Sequence, residues 1–152
     1  MRVTLSLGGL RLFNLASAHK KITDMWTVIY LTFSHKRFLA GADWPERKHE
    51  YAHPLLQETG TLLNVLDPRI ENPPGSIRET HKFELEIGYG GDAFHPTKRG
   101  RRQIAKIASY HQTGTANMDQ RELVVLPDEE THKKMVSAAQ FIFQRELSKK
   151  MK

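Results

Sequence analysis

The sequence contains no cysteine among its 152 residues. Without cysteine the chain can form neither disulfide bonds nor thiolate metal sites. Long apolar runs are also missing, because the stretch from Met25 to Phe33 is far too short to cross a bilayer and includes Thr27 and Thr32. We therefore expect a protein without a membrane segment, whose fold depends on a packed core rather than on covalent cross-links.

Acidic residues are in the minority, with 17 Asp and Glu against 23 Lys and Arg, and the formal net charge is +6. A basic balance favours contact with nucleic acid, acidic protein surfaces or anionic membranes without choosing among them. Hydrophobic residues make up 39% of the chain, so it should fold. The length suits a single domain spanning residues 1–152.

The spacing of apolar residues predicts an α+β domain. Alternation predicts strands at residues 3–7 and 82–89. A helical stripe is formed by Ile22, Met25, Trp26, Ile29 and Phe33. A final helix follows Pro127, with Asp128 as its cap, and its predicted buried face consists of Met135, Ala139, Ile142 and Phe143. We expect an antiparallel sheet, built from residues near 61–66, 82–89 and 122–126, to pack against the long N-terminal and C-terminal helices.

Two predicted loops offer contact surfaces. Residues 67–80 contain three prolines and Gly75, which favours an extended arm that can reach a neighbouring molecule. After Gly90 and Gly91 a second loop carries the basic residues Lys98, Arg99, Arg101 and Arg102. These side chains could contact nucleic-acid phosphates or an acidic face of another subunit. A short helix at about 102–112 follows the basic loop.

One segment matches a metalloprotease pattern. His49-Glu50-Tyr-Ala-His53 has the H-E-x-x-H spacing, in which two histidines on one helical face bind zinc and the glutamate acts as a general base. Pro54 disfavours a helical conformation at His53. A third ligand would have to come from elsewhere, and the possible donors are His81, His95 and Glu84. We favour surface histidines before a turn, and a small zinc hydrolase remains an alternative.

Residues 107–115, Ile-Ala-Ser-Tyr-His-Gln-Thr-Gly-Thr, are followed by an apolar stretch and a proline at 127. We expect His111 and Gln112 to hydrogen-bond loop backbone, and Gly114 to adopt a positive φ. Arg121 could form a fork-like contact with a carboxylate, inside the subunit or across an interface. No serine lies in a nucleophile-elbow context, so an ordering role is favoured over a catalytic one.

The same residues resemble a known family. The pattern A-x-x-H-Q-x-G-T, which runs into an Arg-containing strand and then a closing helix, is similar to that of the phage virion morphogenesis family, the tail-completion proteins of Mu-like and related tailed phages. A second signature of that family, L-x-x-T-G-x-L, is matched around Thr59 and Gly60. The resemblance spans about residues 40–150.

The resemblance implies a structural virion protein rather than an enzyme, with no cofactor and no metal. Such a protein would complete or terminate the tail and join it to the head, as a ring of its own copies, expected to be a hexamer, between the tail tube and a head-side connector. It would be assembled in the host cytoplasm and could contact DNA in the neck. Eight residues would order loops or form interfaces: Thr59, Gly60, Tyr110, His111, Gln112, Thr113, Gly114 and Arg121. A basic nucleic-acid-binding module that uses Lys98 to Arg102 is the other alternative.

Overall fold

The computed structural model describes residues 2–6, 16–40, 44, 60–81, 84–97, 100–116 and 119–150. Within these ranges helices and strands mix in one α+β fold with long helices near both ends, as predicted. In chain order the described elements are β1 (Arg2–Ser6), α1 (Ala16–Leu39), α2 (Thr61–Leu66), β2 (Ser76–His81), β3 (Glu84–Tyr89), β4 (Phe94–Thr97), β5 (Gly100–Gln103), α3 (Ile104–Thr113) and α4 (Glu129–Lys150).

The helix α1 is the central element of the core, and it contacts α2, β2, β3 and α4. Its buried positions recur every four residues, at Ile22, Trp26, Tyr30, Ser34 and Phe38. The predicted stripe is therefore wrong at Met25, whose side chain is 44% exposed. The buried face also includes Tyr30 and Ser34, which are not strongly apolar and were not part of the predicted stripe. The predicted face was therefore rotated about the helix axis relative to the observed one.

The strand β3 lies in the middle of a three-stranded antiparallel sheet, between β1 and β2. Its inward side chains are Leu85, Ile87 and Tyr89, all buried, while Glu84 and Glu86 alternate with them. This confirms the alternation predicted for residues 84–89, and the strand predicted near residues 3–7 is present as β1. Lys82 of the predicted strand lies outside the described residues.

Residues 61–66 form the helix α2 rather than the predicted strand. Its buried side chains are Leu62, Val65 and Leu66, which is helical spacing rather than alternation. Gly60 precedes the helix with φ of +68°, and the Asn64 amide donates to the Gly60 carbonyl at 2.7 Å. The left-handed turn at Gly60 thus sets the direction of a helix that was too short to be recognised from its sequence.

The predicted arm at residues 67–80 is packed against the domain instead of extending from it. Asp67 and Pro73 are buried, and residues 76–81 form β2. The guanidinium of Arg78 donates to the carbonyls of Val65, Asp67 and Ile70 at 2.6–3.0 Å. These bonds join the loop to α2, because one arginine donates to three carbonyls at the end of the helix and in the turn that follows it.

Two further predictions are wrong. Residues 122–126 form no strand, the chain bends at residues 123–124, and Leu126 is 74% exposed. The predicted basic loop is an antiparallel hairpin of β4 and β5, in which Phe94 is paired with Gln103. The predicted short helix follows as α3, two residues later than expected.

The helix α4 packs chiefly along α1 rather than on the sheet. Its cap is the one predicted, because the Thr131 amide donates to the Asp128 carboxylate at 2.8 Å. Met135 is buried, and the indole N–H of Trp26 donates to its carbonyl at 2.8 Å. At the other end of α4, Glu146 pairs with Lys21 of α1 at 2.8 Å. The two long helices are thus joined at two separated points.

Candidate assembly site

The end of α3 carries the residues on which the family resemblance depends. Ile104 and Ala108 bury this helix against the core. The helix stops at Gly114, whose φ is +73°, a region that residues with side chains rarely adopt. The positive φ predicted for Gly114 is confirmed, and the chain then turns so that residues 121–124 lie beside the last turn of α3.

The carboxamide of Gln112 holds that returning segment. Its Oε1 accepts from the amides of Leu123 at 2.7 Å and Val124 at 3.1 Å, and its Nε2 donates to the Val124 carbonyl at 3.0 Å. One side chain therefore makes three bonds that a neighbouring strand would otherwise supply. The predicted bonds from Gln112 to loop backbone are present, and they satisfy backbone groups of residues 123–124 that belong to no sheet.

Arg121 lies at the start of the segment and is only 7% exposed. Its backbone amide donates to the His111 carbonyl at 2.6 Å. Its guanidinium makes a single long bond, from Nη1 to the Asp119 carbonyl at 3.3 Å, and its Nε has no hydrogen-bond partner. The intramolecular carboxylate considered for Arg121 is not found among the described residues.

The ring of His111 is half-buried, and its Nδ1 has no hydrogen-bond partner. Burial, assisted by the positive charge of Arg121, lowers the pKa of His111 to about 4. The imidazole is therefore neutral at pH 7. The predicted bond from His111 to loop backbone is made by its carbonyl, which accepts from Arg121, and not by its ring.

Other elements fix the rest of the segment. The hydroxyl of Tyr30 donates to the Val125 carbonyl at 2.9 Å, and Arg37 Nη1 donates to the Glu122 carbonyl at 2.5 Å. The segment then enters α4 through the Asp128 cap. Residues 121–128, which we call the pinned segment, are thus tied to α1, α3 and α4.

An open groove of about 830 Å³ runs between α1, α4 and the pinned segment. Val28 and Leu126 are exposed apolar residues at this groove, and Ile29 and Phe33 line it as half-buried ones. Charged side chains at its border are of both signs: Lys36, Arg37, Asp128, Glu130 and Lys134. An apolar floor with a charged border is the usual make-up of a protein-binding surface.

The remaining predicted assembly residues have separate positions. Tyr110 is half-buried on α3, and the exposed Thr113 donates its hydroxyl to the Ser109 carbonyl at 2.9 Å. Gly60 begins α2, which packs against α3. Thr59 lies outside the described residues.

His49, Glu50 and His53 of the zinc pattern also lie outside the described residues. Of the possible third ligands, His81 and Glu84 are cross-strand neighbours on β2 and β3. His95 lies on β4 and is hydrogen-bonded to the Thr61 hydroxyl at 3.0 Å.

His81 also lies close to two other carboxylates on the sheet, those of Glu79 and Glu86. One potential ligand atom from each of these three side chains falls within 4.8 Å of the other two. Glu86, however, is already paired with Arg2 at 2.7 Å. The three side chains therefore form a surface charge cluster whose least exposed member has a cation partner.

The basic cluster is only partly described, since Lys98 and Arg99 lie outside the described residues. Arg101 and Arg102 are exposed on β5. The guanidinium carbon of Arg101 lies 5.8 Å from the ring centroid of Phe94, which is itself 49% exposed. An aromatic side chain therefore does accompany the basic residues, although none lies between them in the sequence.

Sequence reasoning missed Tyr30 and Arg37, the two α1 residues that hold the pinned segment. Tyr30 lies four residues after Trp26, so helical spacing could have placed it on the buried face. Nothing in the sequence pairs Arg37 with the Glu122 carbonyl, because that contact joins residues far apart in the chain.

No family model, curated protein or solved structure matches this chain. Among the described helices, none combines the length and apolar character needed to cross a membrane.

Proposed function

We propose that this protein is a structural component of a tailed-phage virion, which completes or terminates the tail and joins it to the head as a ring of its own copies. One observation carries the proposal. Two of the parts of the sequence on which the family resemblance depends, the His111-Gln112 motif and the Arg121-containing segment that follows it, are joined by direct hydrogen bonds. In this proposal the motif residues order backbone and take no part in a catalytic step.

The ordered backbone presents an apolar surface. Leu126 is 74% exposed on a segment whose neighbours Val124 and Val125 are held by bonds to Gln112 and Tyr30. A surface that is already ordered before contact loses little conformational entropy on binding. The groove beside Leu126 therefore suits a contact with another subunit.

A ring requires two different faces on each subunit, because each copy must bind the next one head to tail. The groove supplies one face. Exposed apolar side chains away from the groove, Phe94 on β4 and Phe141 on α4, are available for the second. The tail tube and a head-side connector would then bind the two ends of the ring.

Replacing Leu126 by Glu tests the role of this groove. Leu126 is exposed, so we expect the melting temperature of the subunit to stay within a few degrees of wild type. Assembly should be lost, because a carboxylate would enter an apolar contact. The measurement is sedimentation velocity over a range of concentrations. Gln120→Glu is the control, since it adds the same charge at an exposed position six residues earlier. Equal assembly of the Leu126→Glu variant and wild type would count against the groove.

A second candidate function is favoured by the hairpin. Arg101 stacked near the exposed Phe94 is the combination of cation and aromatic that binds single-stranded nucleic acid. We infer that a DNA contact at this hairpin would weaken steeply with salt. Binding of a single-stranded oligonucleotide that is unchanged in Phe94→Ala would contradict this role.

A further inference from the structure

Arg121 is a buried cation without an anionic partner in the described part of the chain. More than nine-tenths of the residue is removed from solvent, Nε has no hydrogen-bond partner, and the one bond of the guanidinium is 3.3 Å long. A guanidinium offers five N–H donors in a planar fork. Burying such a charge without a countercharge is costly, which is why buried arginines are normally paired with carboxylates. Within the described residues, the guanidinium of Arg121 is therefore a cation that still lacks its carboxylate partner.

His111 adds a second unsatisfied group beside Arg121. Its Nδ1 is buried and has no hydrogen-bond partner, and its carbonyl is bonded to the Arg121 amide. The charge of Arg121 contributes to the low pKa of His111, so the two side chains affect each other electrostatically. Arg121 is 7% exposed and His111 is half-buried, so part of each residue reaches the surface, while Arg121 Nε and His111 Nδ1 themselves lie beneath it. A single anion bound there would gain a hydrogen-bond donor and a cation at once.

We propose that Arg121 and His111 form a carboxylate-binding site that is completed by an acidic side chain of a second copy of this chain. The choice of a carboxylate follows from the planar fork of arginine, which binds carboxylates through two parallel bonds. A second copy is the source because the site lies on the pinned segment, five residues before the exposed Leu126. This inference rests on the proposed function, in which that segment meets a neighbouring subunit.

The test compares Arg121→Met and Arg121→Lys with wild type in two measurements. In thermal unfolding of the dilute subunit, Arg121→Met should melt at the same temperature as wild type or higher, because methionine fills similar volume without a buried charge. In sedimentation velocity, the same variant should need a subunit concentration at least about tenfold higher to assemble, because the partner carboxylate is left unpaired. Arg121→Lys should assemble between the two, since lysine keeps the charge but not the fork.

Two results would overturn the inference and leave the proposed function standing. One is wild-type assembly retained in Arg121→Met. The other is a lower melting temperature of the Arg121→Met subunit, which would show that the arginine serves the fold of a single chain. If sodium acetate, but not sodium chloride of equal ionic strength, raises the melting temperature of a wild-type chain that never assembles, the site binds free anions. That result, like any wild type that stays monomeric, would contradict both proposals.

Discussion

The side chain of Gln112 supplies backbone hydrogen bonds to a segment that belongs to no sheet. It satisfies two amides and one carbonyl of Leu123 and Val124, both of which bury their side chains. Without these bonds, burying the two apolar side chains would leave backbone groups unpaired next to the core. The glutamine thus allows a buried, non-strand connection between α3 and α4.

Gln112→Ala should therefore destabilise the subunit by about 2–4 kcal/mol, because up to three partly buried backbone groups lose their partners. Urea unfolding followed by circular dichroism measures this loss. Thr113→Ala is the matched control, since its exposed hydroxyl bonds only to the nearby carbonyls of Ser109 and Gly114, and we expect it to change stability by less than about 0.5 kcal/mol. Equal effects of the two substitutions would argue against the role given to Gln112.

His111 makes stability depend on pH. In the unfolded chain a histidine takes up a proton as the pH falls through 6.5, whereas in the folded subunit burial, with a smaller effect of Arg121, lowers its pKa to about 4. The unfolded state thus binds more protons between these values, and stability should fall as the pH drops from 6.5 to 4. We expect a loss of about 2 kcal/mol, after allowing for solvent screening of a half-buried ring.

The measurement is urea unfolding of wild type and His111→Gln across pH 4–7, in dilute solution. Glutamine does not titrate, so the stability of the variant should decline less steeply than that of wild type over this range. Parallel curves for the two proteins would show that His111 does not carry the effect.

At the scale of elements, the helices and strands that could be predicted are those whose pattern of apolar residues lies within the element itself. The strand β3 could be predicted because Leu85 and Ile87 alternate with charged residues along the sequence. The helix α2 could not be predicted, because six residues fit the spacing of a helix as well as that of a strand. The left-handed turn at Gly60 decides for the helix. The strand β2 was not predicted, because the prolines before it indicated an extended arm. The loop is packed because Arg78 donates to the carbonyls of Val65 and Asp67, contacts that the sequence pattern does not show.

The contact between α1 and α4 illustrates a non-local element interaction. Glu146 accepts from Lys21 of α1 at 2.8 Å and from Lys149 at 2.9 Å, and the hydrogen bond from Lys21 is the larger cause that lowers the pKa of Glu146 to about 2. A helical pattern predicts both helices but not which charges meet between them.

Glu146→Gln should lower the melting temperature at neutral pH, because glutamine cannot form the ion pairs with Lys21 and Lys149. A depressed carboxyl pKa stabilises the fold above the unfolded value of 4.5, and this contribution is lost as the pH falls toward 2. The difference between wild type and variant should therefore be largest near pH 6 and disappear near pH 2. Calorimetric scans across this range measure it, and a difference that persists unchanged at pH 2 would contradict the assignment.

At the scale of the whole molecule, the candidate site was predictable in part. The motif residues were identified as ordering groups because histidine, glutamine and glycine lie next to one another without a nucleophile. Residues 122–126, which the motif holds, were predicted to be a strand of the sheet, so the exposure of Leu126 was not anticipated. Exposure depends on which element covers a residue, and at this point α1 and α4 leave a groove open instead of closing it.

The central claim is that this chain assembles with copies of itself through the pinned segment. Native mass spectrometry of the purified wild-type protein, over rising subunit concentration, tests it most directly and reports bound metal in the same spectrum. The account predicts a metal-free closed ring of one defined copy number, expected to be six from the family resemblance. A chain that stays monomeric at every concentration, or one that binds a zinc ion tightly and releases it in His53→Ala, would contradict it.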